Sequence, residues 1–183
     1  MSGTIKDELL LERARGGDQD AFLLLYERHR SPIFRFLYRV LDSAELAEDL
    51  THDCFLSLIS GSAKFQSSAP ASLRTCLYST ARTLAMEYFL DSAQNVVAKD
   101  VVKDDAVLRS KPSTESHDMG LVSEVADGVA SLPPLEREAL ILSEYEGLEL
   151  EEIAAIVGAD VGTVEARLGS ARRRLRNILG NHL

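Results

Sequence analysis

A chain of 183 residues, 45% apolar and with a formal net charge of −9, suits one domain or two small ones with genuine cores. No window is apolar for long enough to cross a membrane, and MSGTIKDELLLERARGGD alternates its charges instead of opening basic and turning apolar, which argues against membrane insertion and a signal peptide. Cys54 and Cys76 form no CxxC pair, which argues against a zinc module or a disulfide framework; a cytoplasmic protein without metal or cofactor is expected.

Residues 5–15 have the pattern of a short amphipathic helix that ends at Gly16-Gly17, with Asp18 or Asp20 available to cap the next one. From Ala21 to Leu41 a helical period runs through Phe22, Leu25, Tyr26, His29, Ile33, Phe36, Leu37 and Val40. Pro32 falls inside it and is expected to kink or restart the helix. Asp42, three before Glu45, resembles a capping-box start for a helix over 44–60. The inward stripe expected there is Leu46, Leu50, Cys54 and Leu58, with Ala47 and Phe55. GSAKFQSSAPA, residues 61–71, is a loop by composition. The next helix runs from about Ser72 to Leu90, with Leu73, Leu77, Ala81, Leu84, Ala85 and Tyr88 inward. Residues 1–90 thus form a first helical domain.

Residues 91–123 are acidic, lack aromatic side chains and end in SKPSTESHDMG. Val97, Val101 and Leu108 could support a marginal helix over about 95–109, but the segment reads as a flexible linker. As a coil its ends would stand roughly 30 Å apart, and fully extended it would reach on the order of 100 Å. Residues 124–183 form a second helical domain: an apolar stretch to Leu132, a Pro133-Pro134 start, a helix over 135–145, then LELEEIAAIVGADVGTVEARLGSARRRL. No strand pattern and no repeat occurs. The fold class expected is all-α, two small helical domains joined by a flexible linker.

That last stretch holds two apolar patterns, Leu150–Ile153–Ala154–Val157 and Val161–Val164–Leu168–Ala171–Leu175. Gly158 is positioned to stop the first helix and Asp160 to cap the second. Two short helices around a glycine turn are either a plain helical hairpin or a helix-turn-helix that reads a major groove. At 100° per residue, Gly162, Ala166, Gly169 and Arg173 point away from the apolar side of the second helix, with Thr163 and Ser170 beside them. Small residues there allow close approach to DNA. Thr163, Ser170 and Arg173 are the candidate base readers, and Arg167, Arg172, Arg174 and Arg176 flank them where phosphates would sit. Glu165 repels phosphate unless it accepts from a cytosine amino group. Residues 163–183 carry five arginines against one glutamate. Screening over about 8 Å lets this cluster act despite the acidic total. The total still implies weak DNA binding by the protein alone.

On the helix over 44–60, Glu45, Glu48, Asp49, His52 and Asp53 lie opposite the apolar stripe. Like charges at i, i+4 cost an isolated helix a few tenths, roughly, of a kcal/mol per pair. The face is either simply solvated or a dock for a basic partner. Catalysis has little support. His52 and Cys54 diverge by about 200° on a helix, Glu48 and His52 lack a third metal ligand, and His29 reads as a core-edge side chain. Gly16-Gly17 has neither the lysine nor the spacing of a phosphate loop. The chain does not read as an enzyme.

Taken together, the order of parts resembles the extracytoplasmic-function sigma factors, small two-domain subunits that direct bacterial RNA polymerase to promoters. The matching residues are Asp20-Ala21-Phe22, Leu25-Tyr26, Ala47-Glu48-Asp49-Leu50, Phe55, Leu77-Tyr78 and Ala81-Arg82. In the second half they are Leu132-Pro133, Glu136-Arg137, Glu152-Ile153-Ala154, Gly158, Thr163-Val164, Arg167 and Ala171-Arg172. The resemblance implies that Glu48, Asp49, His52 and Asp53 contact the core polymerase clamp. It implies that Tyr78, Arg82 and Thr83 engage the −10 element. It assigns Thr163, Glu165, Arg167, Ser170, Arg172, Arg173 and Arg174 to the −35 element. The partners implied are core RNA polymerase, promoter double-stranded DNA and an anti-sigma factor, with a monomer when free.

Several positions depart from the family pattern. His52 and Asp53 replace a usual glutamine and glutamate, Cys76 a tryptophan, Thr83 an asparagine, Glu165 a lysine and Ser170 an arginine. Phe89-Leu90-Asp91-Ser92-Ala93 stands where the family normally has basic residues. Two alternatives therefore stand beside the sigma factor: a sigma-like protein that works mainly through protein–protein binding, and a plain helix-turn-helix regulator.

Overall fold

The computed structural model describes residues 5–61, 72–99 and 120–180, with the side chains of 92–99 and 120–124 left out of the description. The described residues are helical with no strand, and they divide into two compact units, residues 1–109 and 110–183. The expected loop over 61–71, apart from Gly61, and most of the expected linker, residues 100–119, lie outside the described residues.

The first unit contains α1 (Asp7–Arg15), α2 (Gln19–Leu41), α3 (Ala44–Ser60) and α4 (Leu73–Lys99). Of the two capping candidates for α2, Asp18 takes the role: its Oδ1 accepts from the Ala21 amide at 3.0 Å, and its other oxygen meets Arg13 at 2.6 Å. The Ala21 amide first, and then Arg13, hold its carboxyl below the usual carboxylate range. Helix α2 does not restart at Pro32 but continues through it. An interior proline costs about 3 kcal/mol. Leu25 before it and Ile33, Phe36 and Leu37 after it are buried in the same core, so packing offsets the penalty. Asp42 does not start α3. It sits in left-handed conformation (φ 52°) at the end of α2, and Ser43 Oγ caps α3 by accepting from the Leu46 amide at 3.3 Å.

The buried side of α3 is Ala47, Thr51, Cys54, Phe55 and Leu58; Leu46 and Leu50, expected inward, are half-buried. Thr51 enters the core because its hydroxyl donates to the Ala47 carbonyl at 2.6 Å. Edge-to-face pairs knit α3 and α4 onto α2, with ring centroids 4.9 Å apart for Tyr26–Phe55 and 5.4 Å for Phe36–Tyr78. Helix α1 is tied in twice. Asp7 meets Arg28 and His29 of α2, each at 2.7 Å, and Arg15 donates from Nε and a terminal nitrogen to the Leu58 carbonyl at 3.1 and 2.9 Å. His29 is thus half-buried at the core edge, as expected. Helix α4 runs on to Lys99, past the end expected near Leu90, and Tyr88, expected inward, is exposed.

The second unit contains α5 (Gly120–Ala130), α6 (Pro134–Leu140), a π-helical turn (Ile141–Tyr145), α7 (Leu150–Val157) and α8 (Val161–Gly180). The single helix expected over 135–145 is split between α6 and the π turn. Ala139, Leu140, Ile141 and Leu142 are all buried, and an α-helix cannot turn four consecutive side chains to one narrow core face. The helix widens to the π turn at this point. Arg137 reaches back to the Ala130 carbonyl at 3.1 Å and joins α6 to the end of α5. Gly128 lets α5 come close to α8: a Cβ there would stand 3.1 Å from Leu175 Cδ2.

Candidate docking and nucleic-acid surfaces

The α3 helix presents the acidic face that its periodicity implied. Glu45, Glu48, Asp49, His52 and Asp53 are exposed, and among the described residues none of them has a hydrogen bond or ion pair through its side chain. Acids elsewhere in the unit, Asp7 and Asp18, are paired. Leu56, 50% exposed, continues the same face. The surface therefore combines uncompensated negative charge with an apolar anchor. No group of three metal-ligating side chains occurs among the described residues. Cys54 is buried, its thiol donates to the Leu77 carbonyl at 3.4 Å, and burial pushes its pKa up to about 12. A thiol so held is a poor nucleophile.

On α4 the expected −10 residues part ways. Tyr78 is a correction: it is 1% exposed, stacked edge-on against Phe36 with Arg74 over its ring, and offers no surface to a ligand. Arg82 is half-buried, and Thr83 is exposed with its hydroxyl donating to the Ser79 carbonyl at 2.9 Å. Beyond them Met86, Tyr88, Phe89 and Leu90 are all exposed. The absence of basic residues here is legible in the sequence, but the exposure is not, because the helical period alone turned Tyr88 inward.

In the second unit, α7 and α8 form the helix-turn-helix. Gly158 adopts the left-handed conformation (φ 67°) that ends α7. Asp160 Oδ1 accepts from the Thr163 amide at 2.8 Å, and the Thr163 hydroxyl donates to Oδ2 at 2.6 Å. Those two bonds hold the Asp160 carboxyl below its usual range, the hydroxyl contributing most. The inward side of α8 is Val164, Leu168 and Ala171; Val161, expected with them, is exposed at the first turn. Gly162, Ala166 and Arg173 face outward, as the helical plot implied.

The seven side chains expected to read the −35 element divide. Glu165 and Arg173 are exposed and Arg167 is half-buried, none of them in an ion pair among the described residues. Thr163 is committed to Asp160. Ser170 donates to Glu136 Oε1 at 3.0 Å, Arg174 Nε lies 3.0 Å from Glu136 Oε2, and Arg172 Nε donates to Glu144 Oε1 at 3.1 Å. Ser170, Arg172 and Arg174 are thus engaged by carboxylates of α6 and the π turn, although Arg172 and Arg174 stay exposed. Periodicity missed this because it says which way a side chain leaves its helix, not what waits there.

Residues 25–94 match the family model for sigma-70 region 2, and residues 124–175 match that for sigma-70 region 4. The RNA polymerase sigma factor CarQ of Myxococcus xanthus is 30% identical over 172 residues, 93% of this chain and 95% of that protein. The chain belongs to the extracytoplasmic-function sigma factors of RNA polymerase. The sigma-E factor of Escherichia coli K12 is likewise 30% identical, over 97% of this chain and 96% of that one. Among solved structures, the fold is similar to the sigma factor RpoE from Bartonella quintana in complex with the anti-sigma factor NepR. The TM-score there is 0.69 at 23% identity, covering 87% of this chain and 96% of that one. CnrH in complex with the cytosolic domain of CnrY gives 0.68 at 22% identity, covering 96% and 97%. As a sigma factor the protein binds core RNA polymerase and directs promoter-specific initiation. A plain helix-turn-helix regulator would have no region 2 counterpart. None of the described helices is long and apolar enough to cross a membrane.

Proposed function

We propose that the outward face of α3 is the surface by which this sigma factor holds core polymerase, through Glu48, Asp49, His52 and Asp53. The observation that carries this is the row of exposed carboxylates with no cationic partner among the described residues. A basic clamp would relieve their mutual repulsion, and Leu56 would add apolar contact at the C-terminal end of the patch. Promoter reading then falls to α8, where Arg167 and Arg173 supply free cations and Glu165 accepts from a base edge. Arg82 and Thr83 are the −10 contacts of α4, with Tyr78 as core support behind them. Residues 1–90 and 124–183 act as the two binding regions and 91–123 as their linker. The site of action is the cytoplasm, where core polymerase works, and the protein has no catalysis of its own.

Asp49→Arg tests the assignment. Charge reversal at the middle of the patch is expected to weaken core binding roughly tenfold or more, with unchanged helix content by circular dichroism. Binding of folded Asp49→Arg to core polymerase as tight as that of the wild type would remove α3 from the interface. A second reading has its own support in Met86, Tyr88, Phe89 and Leu90, which give the −10 surface an apolar character suited to a protein partner such as an anti-sigma factor. Transcription by core polymerase plus this protein on a promoter library separates the two. Promoter-specific transcripts support initiation, whereas stable core binding with no initiation on any promoter supports the protein-binding role.

A further inference from the structure

The five arginines of α8 are not equivalent. Arg167, Arg173 and Arg176 have no ion pair among the described residues, and Arg173 lies back toward Gly169, whose absent Cβ would stand 3.6 Å from the guanidinium. Arg172 and Arg174 are held by carboxylates from the preceding helices of the same unit. The two holds differ in kind. The Glu136 side chain is 15% exposed and takes both Ser170 and Arg174, so it fixes α6 against α8. Glu144 is 49% exposed and receives two donors of Arg172 on one oxygen, at 3.1 and 2.5 Å. An ion pair this open to water is worth about 0–1 kcal/mol, small enough to bias a competition with phosphate without deciding the fold.

We infer that Glu144 is a specificity-setting residue: it keeps Arg172 off the DNA backbone and so lowers sequence-independent affinity, leaving discrimination to the unpaired arginines. This rests on the reading that α8 faces DNA. The physical basis is that phosphate contacts add affinity for every sequence alike, whereas base contacts choose among sequences. Each phosphate neutralised steepens the dependence of log affinity on log salt by about 0.9. The π turn matters because it sets the rotation at which Glu144 leaves the helix and meets Arg172. A chain this acidic gains little from indiscriminate contacts, and withholding one cation sharpens the contrast between promoter and bulk DNA.

The test uses the full-length protein and a mixed-sequence DNA duplex, with fluorescence anisotropy read across a potassium chloride series. Glu144→Gln is expected to steepen the salt slope by about one and to raise low-salt affinity roughly fivefold. Arg172→Ala alone is expected to leave slope and affinity as in the wild type, and the double variant to lose the gain of Glu144→Gln. The Arg172 Nε–H signal in NMR is expected to be protected in the wild type and to broaden in Glu144→Gln, both without DNA present. A gain that persists in the double variant would assign the effect to net charge and overturn the proposal, as would an unchanged slope in Glu144→Gln. A shallower slope in Arg172→Ala overturns it too, because Arg172 would then already contact phosphate. Arg173→Ala separates the two levels. If it weakens binding while Glu144→Gln changes nothing, only the Glu144 role fails; if it has no effect, α8 is not the DNA face and both fail.

Discussion

Replacing Arg15 by methionine would uncap the helix proposed to dock on polymerase. The α3 helix has no basic residue in its last turn, so nothing of its own offsets the partial negative charge of its terminal carbonyls. Arg15, from α1, does so from outside by donating two hydrogen bonds to the Leu58 carbonyl. A hydrogen bond to a charged group contributes about 1.5–3 kcal/mol. Partial exposure and a single shared acceptor put the loss near the low end, about 1.5 kcal/mol. At about 4–8 °C per kcal/mol for a domain of this size, the unfolding midpoint of the first unit should fall by roughly 6–12 °C. Methionine keeps the apolar stem, and Arg15→Lys should recover part of the loss by restoring charge with a less matched donor. Thermal unfolding by circular dichroism reads the midpoint, and hydrogen exchange in the last turn of α3 shows whether fraying is local. A midpoint for Arg15→Met within about 1 °C of wild type would refute the reasoning, since losing two hydrogen bonds from a charged donor cannot cost so little.

Asp7 gives a pH prediction. Burial opposes ionisation of its carboxyl, but hydrogen bonds from Arg28 and His29 outweigh it and hold the folded pKa below the usual value. A depressed folded pKa means stability that is fully present above the unfolded pKa of about 3.9 and lost as pH falls through the folded one. Asp7→Asn should therefore be less stable than wild type at pH 7, with the gap closing below about pH 4 in urea melts; a gap constant with pH would contradict the shift. Gly128→Val should destabilise the second unit by about 1–3 kcal/mol, because its Cβ enters tight contact with Leu175 and its methyls have nowhere to go. Gly128→Ala should be nearly neutral in the same melts, its gain in helix propensity of about 1 kcal/mol offsetting a contact that the end of Leu175 can relax. Cys54, buried and with its thiol pushed up to about 12, should resist iodoacetamide at neutral pH until the first unit unfolds, which mass spectrometry of timed samples would detect.

The sequence by itself determined that this protein is all-helical, that α3 has an acidic outer face, and that Gly158 and Asp160 mark a helix-turn-helix. Each of these follows from interactions within a few residues, namely period, cap and turn, which act the same way in any fold. Tertiary structure decided whatever depends on a partner far along the chain. It carried α2 through Pro32 because both flanks share one core. It buried four consecutive side chains, Ala139 to Leu142, where the helix widens after Leu140, and it drew Tyr78 into the core against Phe36. It also set Glu136 and Glu144 against Arg174 and Arg172 of α8, so that fewer of its cations stand unpaired than the sequence encodes. A side chain's direction is local, but its neighbour is not, and charge is neutralised by neighbours.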